Sequence, residues 1–170
     1  QRTAATEEGG AYRFGGVLVG AYSVTPQLSG AVSEPASREV TVLSENITGV
    51  DFAVYPAEPV LEVLYASPPL TPADNETPVT LLAKVSHLLG LQAIDRVSAD
   101  LSPIGGDADT ALYDDGTHGD ETAADGVYSY RTTIALGTDP GLHMLTVSAE
   151  DAYGYIAVGV LSAGVSQTQT

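Results

Sequence analysis

An acidic, glycine-rich segment holds the residues of this chain that are best suited to chemistry. Residues 112 to 129 read LYDDGTHGDETAADGVYS and place five acidic side chains within twelve positions. The glycines between them permit the sharp turns that bring several carboxylates to one point. Calcium prefers several oxygen ligands on a flexible loop, so calcium is the candidate cofactor. The preferred ligands are Asp115, Asp120 and Asp125, with Asp114 in reserve.

Two interpretations of this segment stay open. It is not an EF-hand, because the D-x-[DN]-x-[DN]-G spacing and the terminal glutamate are absent. The alternative to a cation site is an acidic hairpin whose Asp side chains cap turns and face water. His118, in the same segment, is either a further metal ligand or an exposed loop residue, and the weak specificity of the motif favours the latter.

The segment resembles a signature of immunoglobulin-like β-sandwich modules in large bacterial and archaeal surface and secreted proteins. In those modules an L-x-D-D-G…G-D…D-G-x-Y-[ST] stretch links two strands. AEDAYG at 149–154 is similar to the A-x-D-x-x-G turn that precedes their last strand. The resemblance extends over roughly residues 59–165. It implies a fold and specifies no activity.

The composition limits the classes of partner and the cellular setting. The chain has 22 acidic against 6 basic residues, a formal net charge of -16, and no cysteine. Nucleic acids and anionic membranes are bound by basic patches, so neither is expected as a partner. Disulfides and thiolate sites are excluded, and no apolar run reaches the length of a membrane span. The start at Gln1 and the single lysine favour a processed protein that is extracellular or on the cell surface.

The pattern of apolar residues predicts an all-β protein. Short alternating runs are separated by Gly, Pro, Asn and Asp, and no long window has apolar residues at helical spacing. In the first part of the chain, strands are expected at 2–6, 11–17, 20–25 and 39–43, with a loop at 26–37, and the alternation is repeated by Val50, Phe52 and Val54. About seven further strands follow, at the spacing of an immunoglobulin-like sandwich.

A short proline-bearing linker, YPAEP at 55–59, divides the chain into two tandem β-sandwich modules. The first module is expected at 1–56 and the second at 57–165. Residues 166–170 form a C-terminal tail. The end of the chain is small, polar and uncharged. It is therefore either a frayed terminus or an extended segment that adds to a neighbour's sheet.

The first module resembles the last part of a carboxypeptidase-regulatory-like, or prealbumin-like, β-sandwich. The matching residues are GGAYRFGGVLVGAYSVTP, PASREVTV and ITGVDFAVYP. The resemblance implies that two or three opening strands are missing, because the chain begins in the middle of the module. It also implies a structural role without catalytic residues. An incomplete sandwich exposes an unpaired edge and a groove, which residues such as Phe14, Val24 and Phe52 are expected to line.

No catalytic residue is predicted, and the chain is not expected to be an enzyme. GxSxG, HExxH and P-loop patterns are absent, and His87 and His143 lie in strand-like runs that favour packing or exposure. The absence of tryptophan weakens the case for carbohydrate binding, although nine tyrosines keep a glycan partner open. Asn46 and Asn75 begin N-x-T sequons and are candidate glycosylation sites, with chance occurrence as the alternative.

These observations predict a non-enzymatic extracellular protein with a structural or adhesive role. The sharper hypothesis is a subunit of a cell-surface filament or array, in which a β-strand from a neighbouring copy completes the first sandwich. The candidate donors are residues 1–6 and residues 163–170. The alternative is a spacer or glycan-binding accessory module pair of a larger secreted hydrolase. Particle size separates them, because a subunit forms oligomers or filaments and a spacer stays monomeric.

Overall fold

The chain folds into two compact units that are built almost entirely of β-strands. The computed structural model describes residues 1–167, and the boundary between the two units in the sequence follows Pro56. The only helical elements among these residues are two 3-10 turns, Leu91–Ala93 and Ser102–Ile104. The predicted all-β fold is therefore confirmed. In the described part of the chain, no helix is long and apolar enough to cross a membrane.

The first unit contains two separate antiparallel ribbons. Its strands are β1 (Gly20–Val24), β2 (Ala31–Glu34), β3 (Arg38–Val42) and β4 (Ala53–Pro56). β1 pairs with β3, and β2 pairs with β4. Across residues 1–56, no ladder joins one ribbon to the other.

Two strands predicted for the first unit are wrong. Residues 2–6, and residues 11–17 with their alternation of Tyr12, Arg13 and Phe14, lie outside the strands. The guanidinium group of Arg2 donates hydrogen bonds to the carbonyls of Gly15 and Gly16, at 2.8 and 3.1 Å. A strand also needs a partner for its backbone groups, which alternation alone does not supply. Conversely, β2 forms inside the predicted loop 26–37, because β4 provides such a partner.

The first unit has no closed core. Among residues 1–56, no hydrophobic side chain is fully buried. Val54 and Tyr55 in β4 are 46% and 52% exposed. A two-stranded ribbon is marginally stable in water, and three or more strands over a shared apolar face are needed for independent stability. Within residues 1–56, the strands of this unit therefore have no second layer that covers their apolar face.

The second unit is a two-sheet sandwich of eight strands. They are β5 (Pro59–Ser67), β6 (Leu70–Pro72), β7 (Pro78–His87), β8 (Ile94–Ala99), β9 (Thr110–Leu112), β10 (Val127–Thr133), β11 (Gly141–Asp151) and β12 (Ile156–Ser166). One sheet has the order β10-β7-β5, and the other has the order β6-β12-β11-β8-β9. Neighbouring strands are antiparallel, except for β6 and β12, which are parallel.

One apolar core fills the space between these two sheets. Burial alternates along β7 and β11, as a strand with one face on a core requires. Leu145 and Leu161 are directly paired in the β11–β12 ladder, and both are fully buried, as is Leu81 of β7. Burying one such side chain contributes about 1.5–3 kcal/mol to the free energy of unfolding. The second unit is therefore a complete sandwich.

The last strand extends into the predicted tail. β12 continues to Ser166, and its buried Ala163 and Val165 belong to the core. β11 pairs with one edge of this stretch and β6 with the other. Residues 163–166 are therefore not free to be donated, because leaving the sheet would expose apolar side chains and break ladder bonds. Of the rest of the predicted donor, Gln167 is exposed and outside the strands, and residues 168–170 lie outside the described residues.

The register of β11 can be tested with neighbouring substitutions. Leu145→Ala is expected to lower the free energy of unfolding by about 2–5 kcal/mol, because it removes transfer energy and leaves a cavity. Thr146→Ala is the matched control, since Thr146 faces solvent on the same strand. It should cost less than about 1 kcal/mol, the span of strand propensities. Urea unfolding measures both, and equal losses would contradict this register.

Candidate functional site

The acidic loop, residues 113–126, connects the two sheets of the second unit. It leaves β9 in the five-stranded sheet and enters β10 in the three-stranded sheet. Tyr113 and Ser129 close its base with two backbone hydrogen bonds of 2.9 and 2.7 Å. The N–H of Val85 in β7 donates to the carbonyl of Gly126 at 2.8 Å. The loop is therefore anchored to the sandwich rather than free in solvent.

Two glycines allow the acidic loop to lie close to β7. Gly126 has φ 87°, and a Cβ at this position would lie 2.7 Å from the carbonyl oxygen of Val85. Gly119 has φ 99°, and its Cβ would lie 2.5 Å from Cγ2 of Thr80. Other residues would be strained by both the positive φ and the contact. These two positions explain why the loop is rich in glycine.

Three of the four predicted ligand carboxylates converge in this loop. Asp114, Asp120 and Asp125 each offer an oxygen, and these atoms lie within 4.8 Å of one another. Asp120 is buried, Asp114 is half-buried and Asp125 is exposed. Within residues 1–167, no basic side chain forms an ion pair with any of the three. Their mutual repulsion is relieved by solvent, by backbone N–H donors or by a cation.

Backbone N–H groups hold these carboxylates in place. The two oxygens of Asp114 accept hydrogen bonds from the N–H groups of Asp125 and Gly126, at 3.1 and 2.9 Å. Asp120 accepts from the N–H of Gly116 at 2.7 Å. Each carboxylate oxygen has further lone pairs that a cation could use. The geometry is therefore compatible with a cation site and with an acidic loop that is held by its own backbone.

Asp115 lies outside the cluster, although the sequence favoured it as a ligand. Its carboxylate accepts hydrogen bonds from the N–H and the hydroxyl of Thr117, at 2.8 and 2.5 Å. The bond from the Thr117 hydroxyl is the main reason that the pKa of Asp115 lies below its ordinary value. The D-x-T spacing signals this local turn. Asp114, the reserve candidate, takes its place in the cluster.

His118 is a loop residue that stacks on tyrosine. Its ring centroid lies 4.3 Å from that of Tyr113 and 6.3 Å from that of Tyr130, with near-parallel planes. Its Nδ1 is 3.7 Å from the Asp115 carboxylate, and its side chain is 43% exposed. His118 is not one of the three converging residues. This position agrees with the interpretation as an exposed loop residue.

A buried histidine–aspartate pair links the two sheets at one end of the sandwich. His87 ends β7, Asp151 ends β11, and Nε2 of His87 lies 3.1 Å from Oδ2 of Asp151. Neither side chain is exposed to solvent. Nδ1 of His87 accepts the N–H of Leu89, so the neutral ring carries its proton on Nε2 and donates it to Asp151. The other carboxylate oxygen of Asp151 accepts the N–H groups of Tyr153 and Tyr155.

These contacts give the pair a structural role. Burial by itself raises the pKa of Asp151. The N–H of Tyr155, the His87 ring and the N–H of Tyr153 outweigh that effect, so the pKa lies below its ordinary value of 3.8. Asp151 belongs to the AEDAYG turn that the sequence singled out. Its partner was not predicted, because nothing in the sequence connects two residues 64 positions apart.

The other predicted sites lie on exposed or half-buried surfaces. Asn46 and Asn75 are both exposed. Oδ1 of Asn75 accepts the N–H of Leu136 at 3.0 Å, a bond that does not use the amide nitrogen to which a glycan attaches. His143 is half-buried, and its Nε2 lies 2.8 Å from the carbonyl oxygen of Asp139.

The three residues predicted to line the donation groove are half-buried in the first unit. Val24 ends β1, whereas Phe14 and Phe52 lie outside the strands. The Phe14 ring meets Tyr12 edge to face at 6.0 Å, and the guanidinium of Arg38 lies 6.0 Å from the centroid of the Phe52 ring. These side chains are in contact with neighbours but have not been covered by a second apolar layer.

No family model and no curated protein matches this chain. Among solved structures, the chain is similar to the major pilin subunit of Bacillus cereus, with 16% sequence identity and a TM-score of 0.39. The match covers 99% of this chain and 61% of the pilin chain. At this TM-score the likeness supports neither a fold nor a function.

The buried pair can be tested with Asp151→Asn. The amide nitrogen would face either the proton on Nε2 of His87 or the N–H groups of Tyr153 and Tyr155, so a donor meets a donor in both orientations. We therefore expect a loss of about 1–3 kcal/mol in the free energy of unfolding near neutral pH. Glu150→Gln, at an exposed adjacent position, is the matched control and should have little effect. Urea unfolding measures both.

The same variant has a pH signature. Because the folded-state pKa of Asp151 is lowered, the carboxylate stabilises the fold above its unfolded value of 3.8, and this stability is lost as the pH falls through the folded value. The difference in unfolding free energy between the wild type and Asp151→Asn should therefore shrink as the pH is lowered below that value. A difference that stays constant from neutral to acid pH would contradict this assignment.

Proposed function

We propose that this chain is a non-enzymatic structural subunit, outside the cell or on its surface, that self-associates by exchange of a β-strand. One observation carries the proposal. The first unit has four strands and no fully buried hydrophobic side chain, whereas the second unit is a complete sandwich. This contrast supports strand donation, because a strand from a neighbouring copy would supply the first unit with the layer that it lacks.

The energetic gain from a donated strand is substantial. Each ladder hydrogen bond contributes about 1 kcal/mol net, and covered apolar surface contributes about 25 cal/mol per Å². Val54 and Tyr55 in β4, with the half-buried Phe14, Val24 and Phe52, supply apolar surface that such a strand could cover. Binding a strand in this way is a recurrent mode of recognition between proteins.

Residues 1–6 are the favoured donor. They lie outside the strands and are exposed, apart from the half-buried Ala4. The other candidate donor, residues 163–170, is less available, because residues 163–166 already pair within the second unit as part of β12. Donor and acceptor surfaces of this kind differ from each other. The contact is therefore head-to-tail, and it propagates into a filament unless its rotation closes a ring.

Strand donation makes a prediction about particle size. Removing residues 1–6 is expected to convert oligomers or filaments into smaller particles, because the donor is lost. Removing residues 168–170 is the control for shortening the chain and should leave the size distribution unchanged. Size-exclusion chromatography with light scattering and negative-stain electron microscopy measure both.

The acceptor can be tested separately. Val24→Asp places a charge in the surface that would be covered and should weaken association. Leu88→Asp makes the same change at an exposed position of the second unit and should not. If the unaltered protein is monomeric at all concentrations, strand donation is wrong. The chain is then better described as a spacer or glycan-binding accessory module pair of a larger secreted hydrolase.

We also propose that the acidic loop binds calcium through Asp114, Asp120 and Asp125. The convergence of three carboxylates without a basic partner supports this proposal. Calcium accepts six to eight oxygen ligands, which loop carbonyls and water would complete. Bound calcium would stiffen the connection between the two sheets, a role that suits a load-bearing surface protein.

Calcium binding predicts a stabilisation that depends on concentration. At a free concentration one hundred times Kd, calcium is expected to raise the free energy of unfolding by about 2.7 kcal/mol. Asp120→Asn should abolish the shift, whereas Asp115→Asn should retain it, because Asp115 lies outside the cluster. Thermal melts with calcium or chelator provide the measurement. If chelator leaves the melting temperature of the wild type unchanged, the loop is an acidic hairpin.

A further inference from the structure

The second unit has one long strand edge without a strand partner. β12 pairs with β11 along its length, and β6 occupies its other edge only at residues 164–166. Among the described residues, no strand is hydrogen-bonded to the stretch from Ile156 to Ser162 on the side away from β11, although Leu61 and Leu64 of β5 lie close to Gly159. The N–H of Gly164 faces β6, where it donates to the carbonyl of Pro69. Because backbone groups alternate along a strand, those of Val158, Val160 and Ser162 point to the same open side.

This edge lacks the features that usually protect a strand edge. Natural edges carry charges, prolines or bulges, or are very short. β12 has none of these from Ile156 to Ser166, and its ladder with β11 has no register shift. β5, at the edge of the other sheet, begins at Pro59, carries Glu62 and has a bulge between Leu61 and Val63. The contrast within one unit singles out β12.

The side chains on this edge are apolar and exposed. Ile156, Val158 and Val160 are 58%, 64% and 52% exposed on one face of the sheet. Leu142 and Met144, on the neighbouring strand β11, are also exposed. No residue of β12 is charged, although the chain as a whole has a net charge of -16. An exposed apolar strip of this kind marks an interaction surface.

We propose that the edge of β12 pairs antiparallel with β12 of a second copy of this chain. Two copies with a net charge of -16 repel each other, and an uncharged contact surface adds the least to that repulsion. The β12 edge meets that condition and is its own complement. β6 blocks the strand beyond Ala163, so the open window is 156–162 and its centre is Gly159.

A two-fold axis at Gly159 determines the register of this pairing. It places Val158 of one copy opposite Val160 of the other, and Ile156 opposite Ser162. In this register, hydrogen bonds form between residues whose backbone groups face the open side. The five-stranded sheets of the two copies then become one continuous sheet. Because each copy uses the same edge and that edge is then fully paired, the contact forms a closed dimer and does not propagate. This interface is independent of strand exchange in the first unit.

The experiment compares two doubly substituted chains of equal charge. Val158→Glu with Val160→Glu brings four carboxylates together at the interface and should weaken dimerisation by about tenfold or more, equivalent to at least 1.4 kcal/mol. Leu88→Glu with Leu136→Glu adds the same charge at exposed positions elsewhere in the second unit and should weaken it far less. Sedimentation equilibrium is measured with residues 1–6 removed, so that strand donation by that segment does not contribute.

Two further readouts locate the contact. Raising the salt concentration should strengthen the dimer, because salt screens repulsion between two acidic chains. In hydrogen exchange, the amides of Val158, Val160 and Ser162 should become protected as protein concentration rises. A protein that remains monomeric, or a dimer in which these three amides exchange as fast as in the monomer, would overturn the proposal. Equal weakening by both double substitutions would also overturn it.

Discussion

A β-sheet must bury one of its faces, and this constraint shapes both units of the chain. In the second unit, the three-stranded and five-stranded sheets meet this requirement for each other, and the leucines and valines of β7, β11 and β12 fill the space between them. In the first unit, two ribbons of two strands are present, but no hydrophobic side chain is fully buried. The same physical rule is met within the second unit and is not met among the described residues of the first.

Aspartate has a structural role throughout the second unit. Asp114 and Asp120 organise the acidic loop by accepting backbone N–H groups. Asp74 does the same before β7, and Asp151 does so in the turn between β11 and β12. A carboxylate that accepts such bonds stabilises a turn while adding charge to the surface. The strong negative charge of the chain is in this way partly a by-product of how its turns are built.

The need of a sheet to bury one face and the negative charge of the chain together restrict the contacts that we propose between copies. Acidic side chains on the surface of one copy repel those of another. Strand β12 is uncharged, and part of its edge has no hydrogen-bonded strand. The first unit offers a second kind of contact, because its ribbons lack a covering layer. Both surfaces present backbone donors and acceptors along with apolar side chains. Both contacts that we propose between copies therefore use strands rather than charged side chains.

Local pattern was sufficient to predict much of the second unit. Alternation along β7 and β11 indicated which residues face the core, because the side-chain period of a strand is two. The acidic loop was also identified locally, through its glycines and aspartates. The choice among its carboxylates was less certain. Asp115 is engaged by Thr117 two residues on, and this local competition decided that Asp114, rather than Asp115, joins Asp120 and Asp125.

The sequence by itself determined the all-β class, the core-facing positions of the second unit and the location of the acidic loop, because these depend on short-range periodicity and turn chemistry. Only the tertiary structure decided which segments find a partner. Residues 11–17 alternate like a strand but have none, whereas β2 formed in a predicted loop because β4 lies beside it. The pairing of His87 with Asp151 and the open edge of β12 also depend on contacts between residues distant in the chain. Strand pairing is a long-range property, and no local pattern specifies it.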